Sequence, residues 1–476
     1  MKNIKDLIQC DYDISITGIT DDSRSVQDGY LFVATNGYNV DHYDYIDDAI
    51  DRGCSFIICD REIEKDFPHI VVDNINSFFI SLCKKYYEVD LNDFCFVGIT
   101  GTDGKTTTTT IVKELLDNCA YIGTNGVWVD DQEFDTSNTT PCVNELYRDL
   151  SIIQDRHCHT VSMEVSSEAL LHERVRRFQF NVVGFTNITG DHLNVHKTFD
   201  NYVDCKMKLL AQVKKDGFVV YNGDDEINII NENKEDINNI ISTKRENIEE
   251  LEIKKEKKII DYDYETLMIF KTEKYELKYK DNEWLIHSPF KGVYNVYNVV
   301  MAFIIGRILG VDDCLLLDKI EQLSPIKGRC EFLDFGQDFD IVLDYAHTIN
   351  GVQSILNAFQ DYETIITVTG SAGGRETEKR CVIGKMVIDN SDFAIFTMDD
   401  PRFEDVDDII DQMVGDSKDY YRIVDREDAI RFALSIAPPK SVVLILGKGR
   451  DNYMAIKDKK IHYNDYDVVY HYFHKE

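Results

Sequence analysis

The stretch FCFVGITGTDGKTTTTTIVKELLDN (94–118) reads as an apolar strand, a glycine-rich turn and an amphipathic helix in immediate succession. That order cradles phosphates, because Gly101 and Gly104 let backbone N–H groups face an anion at the start of a helix. Lys105 offers a point charge for β- and γ-oxygens, and the Thr106 hydroxyl suits Mg²⁺. The spacing from Gly98 to Gly104 is one residue longer than the usual Walker pattern. The expectation is ATP bound by Gly101, Thr102, Asp103, Gly104, Lys105, Thr106 and Thr107.

Outward from the loop, strand-like runs such as HTVSMEVSS (159–167) and FDIVLDYAH (339–347) alternate with helical patterns, which predicts α/β domains with largely parallel sheets. A chain of 476 residues exceeds one ordinary core. Polar stretches near residues 90 and 325 mark boundaries, giving domains at 1–89, 90–325 and 326–476. Residues 226–283, rich in Lys, Glu, Asn and Ile, read as a solvated subregion of the middle domain without chemistry.

With 43% hydrophobic and 29% charged residues the composition is globular. The net charge of −34 argues against nucleic acid or an anionic membrane as the main partner, so a phosphate-bearing substrate must meet local positive charge. The longest apolar run, Val299 to Leu309, is broken by Arg307 and falls short of a membrane span. The first residues lack the apolar core of a signal peptide, and 12 scattered cysteines without a CxxC pair read as reduced thiols. The expectation is a cytoplasmic protein, monomeric and without membrane insertion.

A phosphate loop alone does not separate kinases, motors and ligases. GITGTDGKTTT (98–108) resembles the loop of the Mur ligase family, with Asp103 where that family has Asn. The resemblance continues through DDSRSVQDGYLFVATNG (21–37), SNTTP (137–141), MEVSSEALLHERV (163–175), FTNITGDHLNVH (185–196) and NYVDCKMKLL (201–210). It then runs through YNVYN (294–298), GRCEFLDFGQDFDIVLDYAHT (328–348), SAGGRETEKR (371–380), TMDDPRFED (397–405), DREDAI (425–430) and LGKGRDNYM (446–454). Their order is that of the branch adding the third amino acid to a UDP-MurNAc-dipeptide. The N-terminal segment is absent from the related folylpolyglutamate synthases.

Residues at the carboxyl ends of parallel strands face the ligand crevice, which fits Glu164 and His192. The resemblance implies that Thr106, Glu164, His192 and Lys206, the last as a carbamate, hold Mg²⁺, and that Lys105, Glu164, His192 and Lys206 are catalytic. It places Asn298 near adenine, and Arg329, Asp344 and His347 around ribose and γ-phosphate. It assigns Ser23, Thr139, Thr140, Ser166, His172 and Arg174 to the nucleotide-sugar peptide, with Arg174, Arg176 and Arg177 as a basic run facing its diphosphate.

The amino acid falls to Arg375, Asp399, Asp400, Arg402, Gly447 and Asp451. Two arginines suit the two carboxylates of meso-diaminopimelate, ahead of L-lysine. The chain departs from the family at Glu168 (His), Asp400 (Asn), Arg450 (His) and Ile349-Asn350, where proline follows threonine elsewhere. Asp400, two residues from Arg402, is expected to neutralise it in part. The implied architecture is a central P-loop-type ATPase domain between an N-terminal acceptor domain and a C-terminal Rossmann-like domain. The implied reaction is ATP-dependent amide ligation through an acyl phosphate. Rival readings are a paralogue acting on another nucleotide-sugar carboxylate and a non-catalytic binding subunit.

Overall fold

The computed structural model describes residues 1–35, 41–222, 258–262, 267–269, 274–279 and 282–474. The expected solvated subregion at 226–283 lies largely outside them; its described parts are short strands. The chain divides into two compact units, one of residues 1–97 and 118–181, the other of 98–117 and 182–476.

In the first unit, four parallel strands pair in chain order: Gly18–Thr20, Tyr30–Val33, Phe56–Cys59 and His69–Val71. One face is covered by a cluster including Phe32, Ile46, Ala49 and Ile57. The same unit holds Thr160–Glu164 parallel to Cys119–Gly123. Ahead of Thr160–Glu164, the run His157-Cys158-His159 reads as strand packing, which holds for Cys158 alone, since both histidines are exposed. All twelve cysteines are free thiols.

In the second unit the helix Lys105–Leu115 carries five successive threonines, whose branched side chains favour strands over helices. Packing compensates: Thr106–Thr110 are buried, and the apolar helix Val293–Ile308 lies against them.

The C-terminal part of this unit is a six-stranded sheet in the order Glu331–Leu333, Asp340–Asp344, Val442–Leu446, Ile365–Thr369, Phe393–Phe396, Tyr421–Arg422. Only the first pair is antiparallel. Its central strand Val442–Leu446 is apolar at every position because both faces are covered. Val442, Leu444 and Leu446 face a cluster with the helices Ile349–Ala358, Glu378–Asp389 and Val406–Val414. Val443 and Ile445 face another, with Arg426–Ile436 and Asp465–Phe473. These last two helices are pinned by a fully buried bidentate pair, Arg426 with Asp465, at 2.8 Å for both bonds. Val442–Leu446 enters between strands that are consecutive in the chain, so the loops after Asp344, Thr369 and Leu446 border a topological switch point. Among the described residues no helix is long and apolar enough to cross a membrane.

Candidate active site

Two glycines make the phosphate loop possible. A Cβ on Gly101 (φ 150°) would stand 1.9 Å from Thr186 Oγ1, and one on Gly104 (φ 83°) 2.5 Å from Asn298 Oδ1. Gly104 is the N-cap of Lys105–Leu115. The segment after the strand Phe180–Phe185 latches the turn: Thr102 N–H donates to Asn187 O (2.8 Å) and Asp103 N–H to Asn187 Oδ1 (3.0 Å). The N–H groups of Thr102 and Asp103 thus have partners within the protein. The N–H groups that a helix start leaves without a helical carbonyl begin at Gly104. Asn298, expected near adenine, packs on the loop and accepts from Thr108 Oγ1 at 3.2 Å.

Lys105 Nζ donates to the carbonyl oxygens of Gly101 (3.0 Å) and Thr102 (2.8 Å). Lys206 Nζ donates to the same Gly101 oxygen at 2.7 Å. Burial, reinforced by the Lys105 charge, holds the Lys206 amine well below the usual lysine range. Lys208, on the same stretch, is exposed.

The C-terminal sheet supplies further groups. Arg329 Nη2 donates to Thr106 Oγ1 at 2.9 Å, its guanidinium lying over the Tyr345 ring. Thr348, N-cap of Ile349–Ala358, reaches both Asp103 oxygens (3.1 and 2.9 Å). Asp344 accepts from Cys330 N–H (2.6 Å) and Ala346 N–H (2.7 Å), and burial outweighs these bonds and Arg329 in raising its carboxyl. His347 Nδ1 lies 2.8 Å from Tyr345 O, so it is read as the protonated nitrogen.

His192 occupies a left-handed position (φ 57°) at the start of a short helix. Burial, with Lys105, Arg375 and Lys206 nearby, pushes its imidazole down to about 3 against the pull of Asp191, so the ring is neutral at pH 7. Burial alone would raise Asp191, yet its pairing with His347, His192 and Lys379 outweighs burial and holds the carboxyl well below the usual carboxylate range. Lys379 Nζ stands 3.4 Å from Asp191 Oδ1. Among the described residues no three His, Cys, Asp or Glu side chains are grouped to hold a metal.

Three of the expected amino-acid residues, Asp399, Asp400 and Asp451, gather around a lysine that the motifs did not single out. Lys448, 1% exposed, has its Nζ 2.8 Å from Asp400, 3.6 Å from Asp451 and 3.8 Å from Asp399. These carboxylates outweigh burial and raise the lysine. Burial, with Asp399 and Asp400 adding, pushes Asp451 up to about 6. Gly447 (φ 109°) admits Asp399, whose Oδ2 would lie 2.5 Å from a Cβ there. The expected neutralisation of Arg402 by Asp400 is overturned. Asp400 Oδ1 accepts from Lys448 (2.8 Å) and Ala455 N–H (2.9 Å), while Arg402 Nη1 donates to Gly373 O (3.2 Å). Left-handed backbone at both residues (φ 35° and 51°) turns the side chains to different partners. Arg375 is exposed. Arg450 pairs twice with Glu331 (2.8 and 2.5 Å).

The acceptor set belongs to the first unit and centres on Thr140. Its hydroxyl donates to Glu164 O (2.9 Å) and accepts from Ser166 N–H (3.0 Å), and its carbonyl accepts from Arg174 Nη1 (2.9 Å). Glu164 is fully buried and accepts from Tyr121 O–H (2.7 Å) and Thr124 N–H (2.9 Å). Thr124 Oγ1 reaches Thr139 Oγ1 at 3.1 Å. His172 caps the helix Ser167–Leu171, and burial lowers its imidazole. Ser23 is buried in the turn Ser23–Ser25. In the expected basic run, Arg176 pairs with Glu173 (2.8 Å).

Three family models match the chain: the Mur ligase family catalytic domain over residues 15–85, the Mur ligase middle domain over 99–306, and the Mur ligase glutamate ligase domain over 328–449. A protein of Clostridium tetani named UDP-N-acetylmuramoyl-L-alanyl-D-glutamate–2,6-diaminopimelate ligase is 32% identical over 475 residues, covering 96% of this chain and 94% of that protein. A solved structure of an enzyme of that same name shares the fold at TM-score 0.60 and 23% identity, covering 98% and 97% of the two chains. The MurF ligase of Thermotoga maritima, solved with ADP, does so at TM-score 0.63 and 18% identity, covering 90% and 93%. The chain belongs to the Mur ligase family of ATP-dependent ligases.

Proposed function

We propose that this protein ligates a diamino acid, meso-diaminopimelate ahead of L-lysine, to UDP-MurNAc-L-Ala-D-Glu. The observation that carries this is the contact of Arg329 and Thr348, from the C-terminal sheet, with Thr106 and Asp103 of the phosphate loop. A ligase must bring the amine to the carboxyl that ATP has just activated, and these contacts join the segment read as amino-acid-binding to the segment read as ATP-binding. The name of the Clostridium tetani relative supports the substrate class. The proposed domains are 1–89 for the acceptor, 90–325 for ATP and 326–476 for the amino acid.

In the first step the acceptor carboxylate attacks the γ-phosphorus and ADP leaves. Lys105 and Arg329 counter the charge that spreads over the phosphoryl oxygens. In the second step the amine lone pair attacks the acyl carbon, phosphate departs, and the nitrogen loses a proton to give the amide. The buried Lys206 amine, held well below the usual lysine range by burial and the Lys105 charge, suits addition to CO₂, which forms an N–C bond and releases one proton. The carbamate adds the anionic oxygens that a hard cation needs and that the described side chains do not group. Thr106, Glu164, His192 and that carbamate would then hold Mg²⁺, which supplies charge neutralisation on phosphate oxygens.

Phosphate release with ATP and UDP-MurNAc-L-Ala-D-Glu, screened over a panel of amino acids, tests the proposal. The expected result is fastest release with meso-diaminopimelate. Release with no diamino acid, or only with another nucleotide-sugar acceptor, would refute it.

A further inference from the structure

Tyr202 and Lys206 lie one turn apart on the helix Phe199–Met207, each 1% exposed. At this spacing they share one face of the helix. Lys206 Nζ stands 4.6 Å from the centroid of the Tyr202 ring while donating to Gly101 O. The Tyr202 hydroxyl lies 3.0 Å from Oγ1 of Thr102, the next residue of the loop. Counting protons gives that bond its direction. A threonine hydroxyl has one hydrogen and two lone pairs. Thr102 Oγ1 donates to Thr189 O (3.0 Å) and accepts from Thr189 N–H (2.9 Å). One lone pair remains, so the Tyr202 O–H is the donor and the Thr102 hydroxyl is saturated. The helix thus grips two consecutive loop residues, Gly101 through Lys206 and Thr102 through Tyr202, directly ahead of Gly104 and Lys105.

We infer that Tyr202 is a positioning residue for phosphoryl transfer. Its ring seats the Lys206 amine, and its hydroxyl holds the turn in the shape that aims Lys105 and the helix start at nucleotide phosphates. The inference rests on the nucleotide reading of the loop. Without the hydroxyl the nucleotide must order the turn as it binds, and affinity falls.

The test is ATP binding by the full chain, with KM and kcat measured alongside. Y202F keeps the ring and should raise the Kd and KM for ATP about tenfold, with kcat at saturating ATP within about twofold. In a T102V background, where the acceptor is gone, Y202F should add less than about twofold. An equal penalty in both backgrounds, or none in the otherwise unaltered chain, overturns the inference. Hydrogen exchange of the amides at 101–104 reads the same brace without nucleotide. Y202F should speed it about tenfold, and unchanged exchange also overturns the inference. A chain that binds no ATP would remove the nucleotide reading instead, and the exchange measurement would still decide whether Tyr202 holds the turn.

Discussion

At the phosphate loop the side-chain nitrogens of Lys105 and Lys206 meet on one carbonyl oxygen, whereas at Gly447–Asp451 three carboxylates surround the ammonium of Lys448. Charges held this close in a dry setting cost free energy unless each is partnered. The first arrangement depresses the Lys206 amine, and the second lifts Asp451 to about 6. On the proposed reading the two arrangements suit opposite ligand groups, an anionic phosphate at the loop and a substrate ammonium at the carboxylates.

The largest test of this contrast removes a cation from the loop. K105A should lower ligation by a thousandfold or more, on the order of 4 kcal/mol of transition-state stabilisation, with the glycine turn intact by circular dichroism. Near-normal turnover would break the loop half of the comparison.

Next comes the arginine beside the carboxylates. R402A should raise KM for meso-diaminopimelate roughly thirtyfold to a thousandfold, the loss of about 2–4 kcal/mol from a charge-assisted contact. Lysine, with one carboxylate fewer, should suffer less. Because Asp400 is held by Lys448 and Ala455, D400N should leave this discrimination unchanged. Equal penalties for both amino acids, or a discrimination that shifts with D400N, would assign selectivity elsewhere.

The smallest effect is on stability. Asp451 titrates near 6 in the folded chain and near 4 when unfolded, so the native state binds its proton more tightly. The stability this group contributes is full below about pH 4 and lost as pH rises through about 6. D451N should therefore flatten the fall in unfolding free energy between those values, read from urea titrations at each pH. A slope identical to that of the unaltered chain would show that the three carboxylates share the charge differently.

The strands and the loop were legible because their signals are local. FCFVGIT and FDIVLDYAH carry apolar runs and HTVSMEVSS alternates apolar with polar residues, and the strands Cys95–Thr100, Thr160–Glu164 and Asp340–Asp344 form there. What escaped depends on contacts between distant segments. Asn187 takes the N–H groups of Thr102 and Asp103 from 85 and 84 positions away, and Tyr202 reaches Thr102 across 100. No spacing rule announces such pairs. Lys448 stood inside a quoted motif, but a lysine between two glycines reads as exposed until the strand end at Leu446 is seen to bury it. The Asp400–Arg402 expectation failed because nearness in sequence was taken for nearness of side chains, which left-handed backbone at both positions defeats.

The central claim is that ATP activates the acceptor carboxylate as an acyl phosphate, which the diamino acid then opens. An acceptor labelled with ¹⁸O at both oxygens of its reacting carboxylate tests it, because the attacking oxygen stays with the phosphoryl group when the amine displaces it. Ligation through an acyl phosphate gives one ¹⁸O in the released phosphate for each amide formed. Amide formation accompanied by unlabelled phosphate would contradict it.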